Sequence, residues 1–241
     1  MVSSEGLRYG ELWSIALPYY EKSKAKSPVE HIEYTCAFAK IIADGEKLNP
    51  VDRRILLLAA MFHDIGICKT KTKKIVESDI ERSGWDEKLV DRAIHNRLEH
   101  MLHGARIANR ILTDYSTDNP FHLMHDDVLE IVRLVRNHDN YKIAKLAKDG
   151  KWLTGKNDWL LQLLNEADAL WMLTKDGIQT DIDRGSGMDK TQQMDWNINQ
   201  HHKYYDSYVT YGSISGMGFR EKTFYRSKTG WLIFLELSGG M

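Results

Sequence analysis

The chain has 241 residues, enough for one sizeable core, and its 33 basic residues against 34 acidic ones leave a formal net charge of −1, which gives no electrostatic basis for general nucleic-acid binding. Its two cysteines, Cys36 and Cys68, form no spaced framework, which argues against a disulfide-built secreted domain and for a reducing, cytoplasmic setting. No apolar run approaches the roughly 20 residues of a membrane span, and the N-terminus lacks the basic-then-apolar order of a signal peptide.

In chain order, Leu7 to Lys22 carries apolar residues at helical spacing with Pro18 inside. It is expected to pack as an N-terminal helix, with Tyr19 and Tyr20 in the core or on the surface. Ser27-Pro28-Val29-Glu30 reads as a helix start, with Ser at the cap, Pro at the first helical position and Glu completing a capping box. That helix runs to Gly45 and carries His31 in its first turn, where the helix dipole disfavours a protonated imidazole. Asn49-Pro50 opens a second helix, and RRILLLAAMF is apolar nearly all round, the mark of a helix at the centre of a bundle. It delivers the adjacent donors His63 and Asp64 to the interior, where a carboxylate is costly without a cation. Gly66 is expected to supply the backbone freedom that ends the helix beside them.

The basic run KTKTKK, from Lys69 to Lys74, reads as a solvated loop. Lys69 is its candidate for contact with a substrate phosphate. A loop and short helix follow to Trp85, a candidate lid. A long helical pattern from Asp86 to Leu112 is expected, broken near His95-Asn96, and it carries His100 and His103 one turn apart on roughly one face. Either can be a ligand, the other a proton-transfer partner. Residues 114–127 read as a loop, and Asp126 or Asp127 as the cap of a helix with a stripe of Val128, Ile131, Val132 and Val135. His138 ends that stripe, and Asp139 beside it reads as a supporting or surface residue rather than a ligand.

After the connecting stretch KLAKDGKWLTGKND, WLLQLLNEADALWML from Trp159 to Leu173 is a nearly wholly apolar helix. Asp168 shares a face with Leu164 and Met172, so it should point inward, and an unpaired carboxylate there would cost several kcal/mol or stay protonated. Glu166 is expected on the opposite, exposed side. DGIQTDIDRGSGMDK reads as a flexible loop that lacks the acidic spacing of a calcium site. Met194 to Tyr211 has helical and aromatic features, with Tyr204, Tyr205, Tyr208 and Tyr211 candidates for covering the site mouth or a partner chain. The segment FREKTFYRSKTGWLIFLEL fits helix or hairpin. His122, His125, His201 and His202 are expected to face water.

Histidines and carboxylates scattered singly over four or five apolar helices are costly to bury unless they share a cation. The pattern His31, His63-Asp64 with Ile65-Gly66, His100-Met101-Leu102-His103-Gly104-Ala105, His138 and the ADAL run around Asp168 resembles the HD-domain superfamily of metal-dependent phosphohydrolases, over Pro28 to Leu173. The resemblance implies an all-α HD-type helical bundle with a C-terminal extension: residues 1–175 as the helical domain and 176–241 packed on it. By the family's His-x3-Gly-Ala frame, His100 is the ligand. Many members place a lysine directly after the Gly, whereas Ile67 and Cys68 intervene here before Lys69.

The resemblance further implies a dinuclear site, with His31, His63, Asp64 and Asp168 on one ion and Asp64, His100 and His138 on the other. Imidazole and carboxylate without thiolate suit divalent transition ions, Mn, Fe, Co, Ni or Zn. The implied activity is hydrolysis of a small phosphorylated substrate, a phosphate ester or anhydride, with Asp64 bridging the ions and Lys69 and His103 as further catalytic candidates. The same ligands serve an alternative, di-iron oxygenation that cleaves a C–C or C–P bond. A non-catalytic ligand-sensing module is a further one. No element of the pattern specifies an oligomeric state.

Overall fold

In the computed structural model, the described residues are 4–23, 25, 27–69, 77–118, 123–153, 158–211 and 223–239, and their regular elements are all helical. Eleven α-helices follow in order among them: α1 Ser4–Glu21, α2 Pro28–Gly45, α3 Pro50–Phe62, α4 Glu77–Arg82, α5 Glu87–Asp118, α6 His125–Asn137, α7 Asn140–Ala147, α8 Trp159–Leu170, α9 Lys175–Asp183, α10 Lys190–Tyr211 and α11 Lys228–Leu237. Short 3-10 turns at Ile65–Lys69 and Trp171–Leu173 continue α3 and α8 beyond their ends. The all-α expectation holds. No helix among the described residues is long and apolar enough to cross a membrane.

The bundle is built on α3 and α8. Every residue from Ile55 to Phe62 in α3 and from Leu161 to Leu170 in α8 is buried, as expected for helices apolar on nearly all faces. Each fully buried Leu or Ile there contributes roughly 1.5–3 kcal/mol relative to exposure. Helices α2 and α6 pack on these two, α5 packs on α6 and on the 3-10 turn that follows α3, and α1 lies against α2, α3 and that same turn. The fully buried Tyr20 donates its hydroxyl to the Met61 carbonyl at 2.6 Å, pinning α1 to the end of α3.

Local signals explain some boundaries. The Asn49 side chain accepts from the Val51 and Asp52 amides and caps α3. Helix α2 starts at Pro28 as expected, but Ser27 is left-handed (φ 49°) and makes no side-chain cap, so the anticipated capping box does not form. Helix α6 opens at His125, two or three residues before the expected start, so Asp126 and Asp127 lie in its first turn rather than at its cap, and the Asp127 side chain reaches back to accept from the Met124 amide at 3.2 Å.

Elsewhere tertiary packing overrides local expectation. Helix α5 runs unbroken through His95-Asn96 to Asp118, taking in residues expected to be loop, because its stripe from Ala93 to Tyr115 is buried throughout. The first half of the Asp-rich stretch expected as a loop is helix α9, Lys175–Asp183, capped by the Thr174 hydroxyl, which accepts from the Gly177 amide, while residues 184–189 remain non-helical. The ambiguous C-terminal segment resolves as helix, with Ser227 as its cap. The basic residues after Lys69, His122 and the loop residues Asn119 and Pro120, residues 154–157 of the connecting stretch and residues 219–222 lie outside the described residues.

Residues beyond 175 pack on the bundle: α10 on α7 and α9, α11 on α2 and α8. An aromatic block of Tyr141, Tyr204, Tyr208 and Phe224, with Tyr141 edge-on to Tyr204 at 4.8 Å and stacked on Phe224 at 4.9 Å, ties α7, α10 and the approach to α11 together. Short α4 is held to α10 through Glu81, which receives Trp196 Nε1 and Lys203 Nζ.

Two residues expected in water are in the core. Glu166 is fully buried, because its face of α8 meets the start of α11: its carboxylate accepts from Gln162 Nε2, the Arg226 and Ser227 amides and the Ser227 hydroxyl. His201 is also fully buried, stacked on Tyr225 and hydrogen-bonded to its hydroxyl at 2.9 Å. His125 is exposed.

Candidate metal centre

Five elements deliver the donors. His31 comes from the first turn of α2. His63 and Asp64 come from the end of α3, where the chain tightens into a 3-10 turn, and this change of winding lets adjacent side chains face one region. His100 comes from mid α5, His138 from the end of α6 and Asp168 from α8.

The approach of α5 to the His63-Asp64 turn depends on two glycines. A Cβ on Gly66 would stand 2.0 Å from the His100 carbonyl oxygen and 2.4 Å from the Gly104 nitrogen. Gly66 has no positive φ, so it serves close contact between backbones rather than the conformational freedom expected of it.

The donors fall into two groups. His31 Nε2 lies 3.1 Å from His63 Nε2 and 3.2 Å from Asp168 Oδ1, and His63 Nε2 lies 3.6 Å from that same oxygen. His100 Nε2 lies 3.2 Å from His138 Nε2, and Asp64 Oδ1 is 3.4 Å from the first and 3.3 Å from the second. The other Asp64 oxygen, Oδ2, is 3.7 Å from His31 Nε2, so this carboxylate touches both groups. Each trio, His31-His63-Asp168 and Asp64-His100-His138, can hold a metal ion. Two donors each about 2.1 Å from a common ion at tetrahedral or octahedral angles stand about 3.0–3.4 Å apart, a range that takes in every pair within the two trios except His63–Asp168 at 3.6 Å.

Hydrogen bonding decides which ring atoms face inward. His63 Nδ1 is 2.8 Å from the Ala60 carbonyl, His138 Nδ1 2.8 Å from that of Val135 and His100 Nδ1 3.2 Å from that of Asn96. A carbonyl accepts only from N–H, so each neutral ring carries its proton on Nδ1 and turns the Nε2 lone pair into the centre. The lone pairs of His100 and His138 then face each other at 3.2 Å, an arrangement that repels unless a cation sits between them. Burial above all holds the His31 and His100 imidazoles below their ordinary pKa, in the neutral form a ligand needs. Burial also opposes charge on His63, yet Asp168 and Asp64 raise it overall; carboxylates that favour a proton there favour a metal ion too.

The other expected site residues lie apart. His103, one turn beyond His100, is half-exposed and 3.9 Å from Glu99 on its own helix; a step of three residues rotates it about 60° off the face that carries His100. Lys69 ends the 3-10 turn exposed and forms no ion pair among the described residues.

Two charged residues beside the candidate ligands, Lys142 and Arg97, went unread in the sequence. Lys142 Nζ lies 2.7 Å from Asp168 Oδ2 and 2.8 Å from Asp139 Oδ1, and Arg97 Nη1 donates to Asp139 Oδ2 at 2.7 Å. Asp139 is thus the supporting residue expected rather than a surface one. Burial works against ionising Asp139 and Asp168, but Lys142 next to both, with Arg97 at Asp139 and the histidines at Asp168, holds each well below the usual carboxylate range. The available signal was spacing: Arg97 and His100, like Asp139 and Lys142, are three residues apart, close enough on successive turns to interact.

A family model described as HD domain matches residues 29–173, more than half of the chain. Comparison with curated proteins and with solved structures returns no match.

Proposed function

The chain belongs to the HD-domain family, whose members are commonly metal-dependent hydrolases, and from that premise we propose that it hydrolyses a small phosphate ester or anhydride at a dinuclear centre. The observation that carries this reading is Asp64, whose Oδ2 lies 3.7 Å from His31 Nε2 in one group while its Oδ1 lies 3.4 and 3.3 Å from His100 Nε2 and His138 Nε2 in the other. On this reading His31, His63, Asp64 and Asp168 hold one divalent transition ion, and Asp64, His100 and His138 hold the other. Ions bound there would polarise a phosphoryl oxygen and acidify a water to near neutral pH.

The chain's own residues do the rest. Carbonyls at Ala60, Asn96 and Val135 fix the ring orientations through Nδ1. His31 and Asp64, whose side chains keep 15% and 12% exposure while His63 and Asp168 keep 0% and 4%, form the accessible edge where substrate arrives.

The test is metal analysis of protein purified without chelator, followed by phosphate release from a panel of nucleotides and small phosphoesters. About two first-row ions per chain, metal-dependent phosphate release, and loss of both in Asp64→Ala are expected. Substrate-dependent oxygen uptake without phosphate release would overturn the hydrolytic reading, and a chain that takes up no transition metal would overturn the centre itself.

A further inference from the structure

Asp168 presents its two oxygens to different surroundings. Oδ1 lies 3.2 Å from His31 Nε2 and 3.6 Å from His63 Nε2, whereas Oδ2 accepts from Lys142 Nζ at 2.7 Å and from the Tyr141 hydroxyl at 3.3 Å. Lys142 spends its other short contact on Asp139 Oδ1, and Asp139 Oδ2 in turn lies 2.7 Å from Arg97 and 3.5 Å from His100 Nε2. An alternating row of carboxylate, ammonium, carboxylate and guanidinium therefore runs from one ligand trio to the other, all of it buried or nearly so.

Ordinary stability does not explain such a row. Burying several ionised groups incurs desolvation costs that their mutual attraction only roughly offsets, and apolar residues of like volume would hold α5, α7 and α8 together at least as well. What an ammonium does there, and an apolar side chain does not, is occupy one specific oxygen of Asp168.

We propose that Lys142 is a positioning residue that makes Asp168 a one-oxygen donor to the His31-His63 group and, through Asp139, ties its placement to His100 in the other group. The inference rests on the metal-centre reading above but not on the identity of the substrate. Lys142 touches no reacting atom in this role. Without it, Oδ2 turns toward the ion, the coordination gains an oxygen, and Asp139 and Asp168 are left as neighbouring carboxylates with no cation between them.

The test uses the full chain stripped of metal and reloaded with cobalt(II), comparing wild type with K142M and with the double variant K142M/D139N, which removes the ammonium together with a carboxylate it would strand. In a folded variant, the visible cobalt absorption should change position and lose intensity as a further oxygen joins. Turnover should show kcat reduced roughly tenfold or more, the usual consequence of losing a partner behind a ligand, with KM little changed. A folded variant with the wild-type cobalt spectrum overturns the proposal whatever its activity. Failure of both variants to fold would also overturn it, since Lys142 would then be scaffold. A wild-type chain that binds no cobalt would instead sink the metal centre, and an altered cobalt spectrum in a chain that releases no phosphate would leave the clamp standing and remove the hydrolytic assignment alone.

Discussion

Replacing Gly66 by Ala adds one methyl group where the 3-10 turn after Asp64 presses on α5. The new Cβ would meet the His100 carbonyl oxygen at 2.0 Å, the Gly104 nitrogen at 2.4 Å and the Gly104 Cα at 2.9 Å. All three are backbone atoms within one long helix, so no rotamer change relieves the contact. Restoring ordinary separation requires the turn and α5 to part by about 1 Å, well beyond the roughly 0.2 Å tolerance of metal–ligand distances. Overpacking usually costs about 1–3 kcal/mol, and a clash confined to backbone belongs at or above the top of that range. For a chain of this size about 3 kcal/mol corresponds to a Tm lower by roughly 6–12 °C.

Because Asp64 and His100 sit on opposite sides of the contact, 3.4 Å apart, the Asp64-His100-His138 group should lose its metal first. Thermal unfolding of the metal-free protein and metal stoichiometry measured by chelator competition are the assays. Two comparisons set the scale. Gly104→Ala meets Val135 Cγ1 at 3.3 Å and the Gly66 nitrogen at 3.4 Å and should be much milder, whereas Gly10→Ala in α1 meets nothing within 4 Å and should be neutral or stabilising by up to about 1 kcal/mol. A Gly66→Ala protein with wild-type Tm and full metal content would refute the reasoning.

The other predictions rest on individual side chains. His100→Ala should remove one of the two ions, while His103→Ala, half-exposed against Glu99, should keep both and shift stability by no more than about 0.5 kcal/mol; equal metal loss in the two would reverse the assignment. Glu166→Ala strands four donors from Gln162 and the start of α11 and should cost about 3 kcal/mol in denaturant unfolding. Burial raises the Glu166 carboxyl toward its neutral form, so Glu166→Gln, neutral and close in shape, should cost far less.

His201 bears on acid stability. Burial, with help from His202 and Lys142, lowers its imidazole from the ordinary 6.5 to about 3. The unfolded chain therefore binds a proton that the folded chain refuses: the stability is fully present above about pH 6.5 and falls as pH drops toward 3, by about 1.4 kcal/mol per pH unit. Denaturant unfolding of wild type and His201→Gln at pH 7 and pH 5 should show wild type losing about 2 kcal/mol more, and parallel losses would count against it.

Part of the candidate ligand set was legible in the chain because burying a charge is costly wherever the fold puts it. Asp168 within LLNEADAL and His63-Asp64 at the end of LLLAAMF stand out as polar groups on helices with no polar face, and the structure brings both into one centre. What escaped were residues whose surroundings arrive from distant segments. Glu166 reads as the exposed side of α8 until α11, some 60 residues later, covers it. His201 reads as a surface histidine until Tyr225 and Phe234 enclose it.

The sequence by itself determined the helical class and the two nearly wholly apolar helices, because periodicity acts within each helix, and its resemblance to the HD family supplied six candidate donors and their division into two groups. Only the tertiary structure supplied the distances at which those donors meet, turned His103 away from them toward Glu99, and put Lys142 and Arg97 behind them. Those outcomes depend on rotations of a few tens of degrees and backbone approaches of a few ångströms between α5, α7 and α8. Such quantities are set by packing between helices and leave no period along the chain.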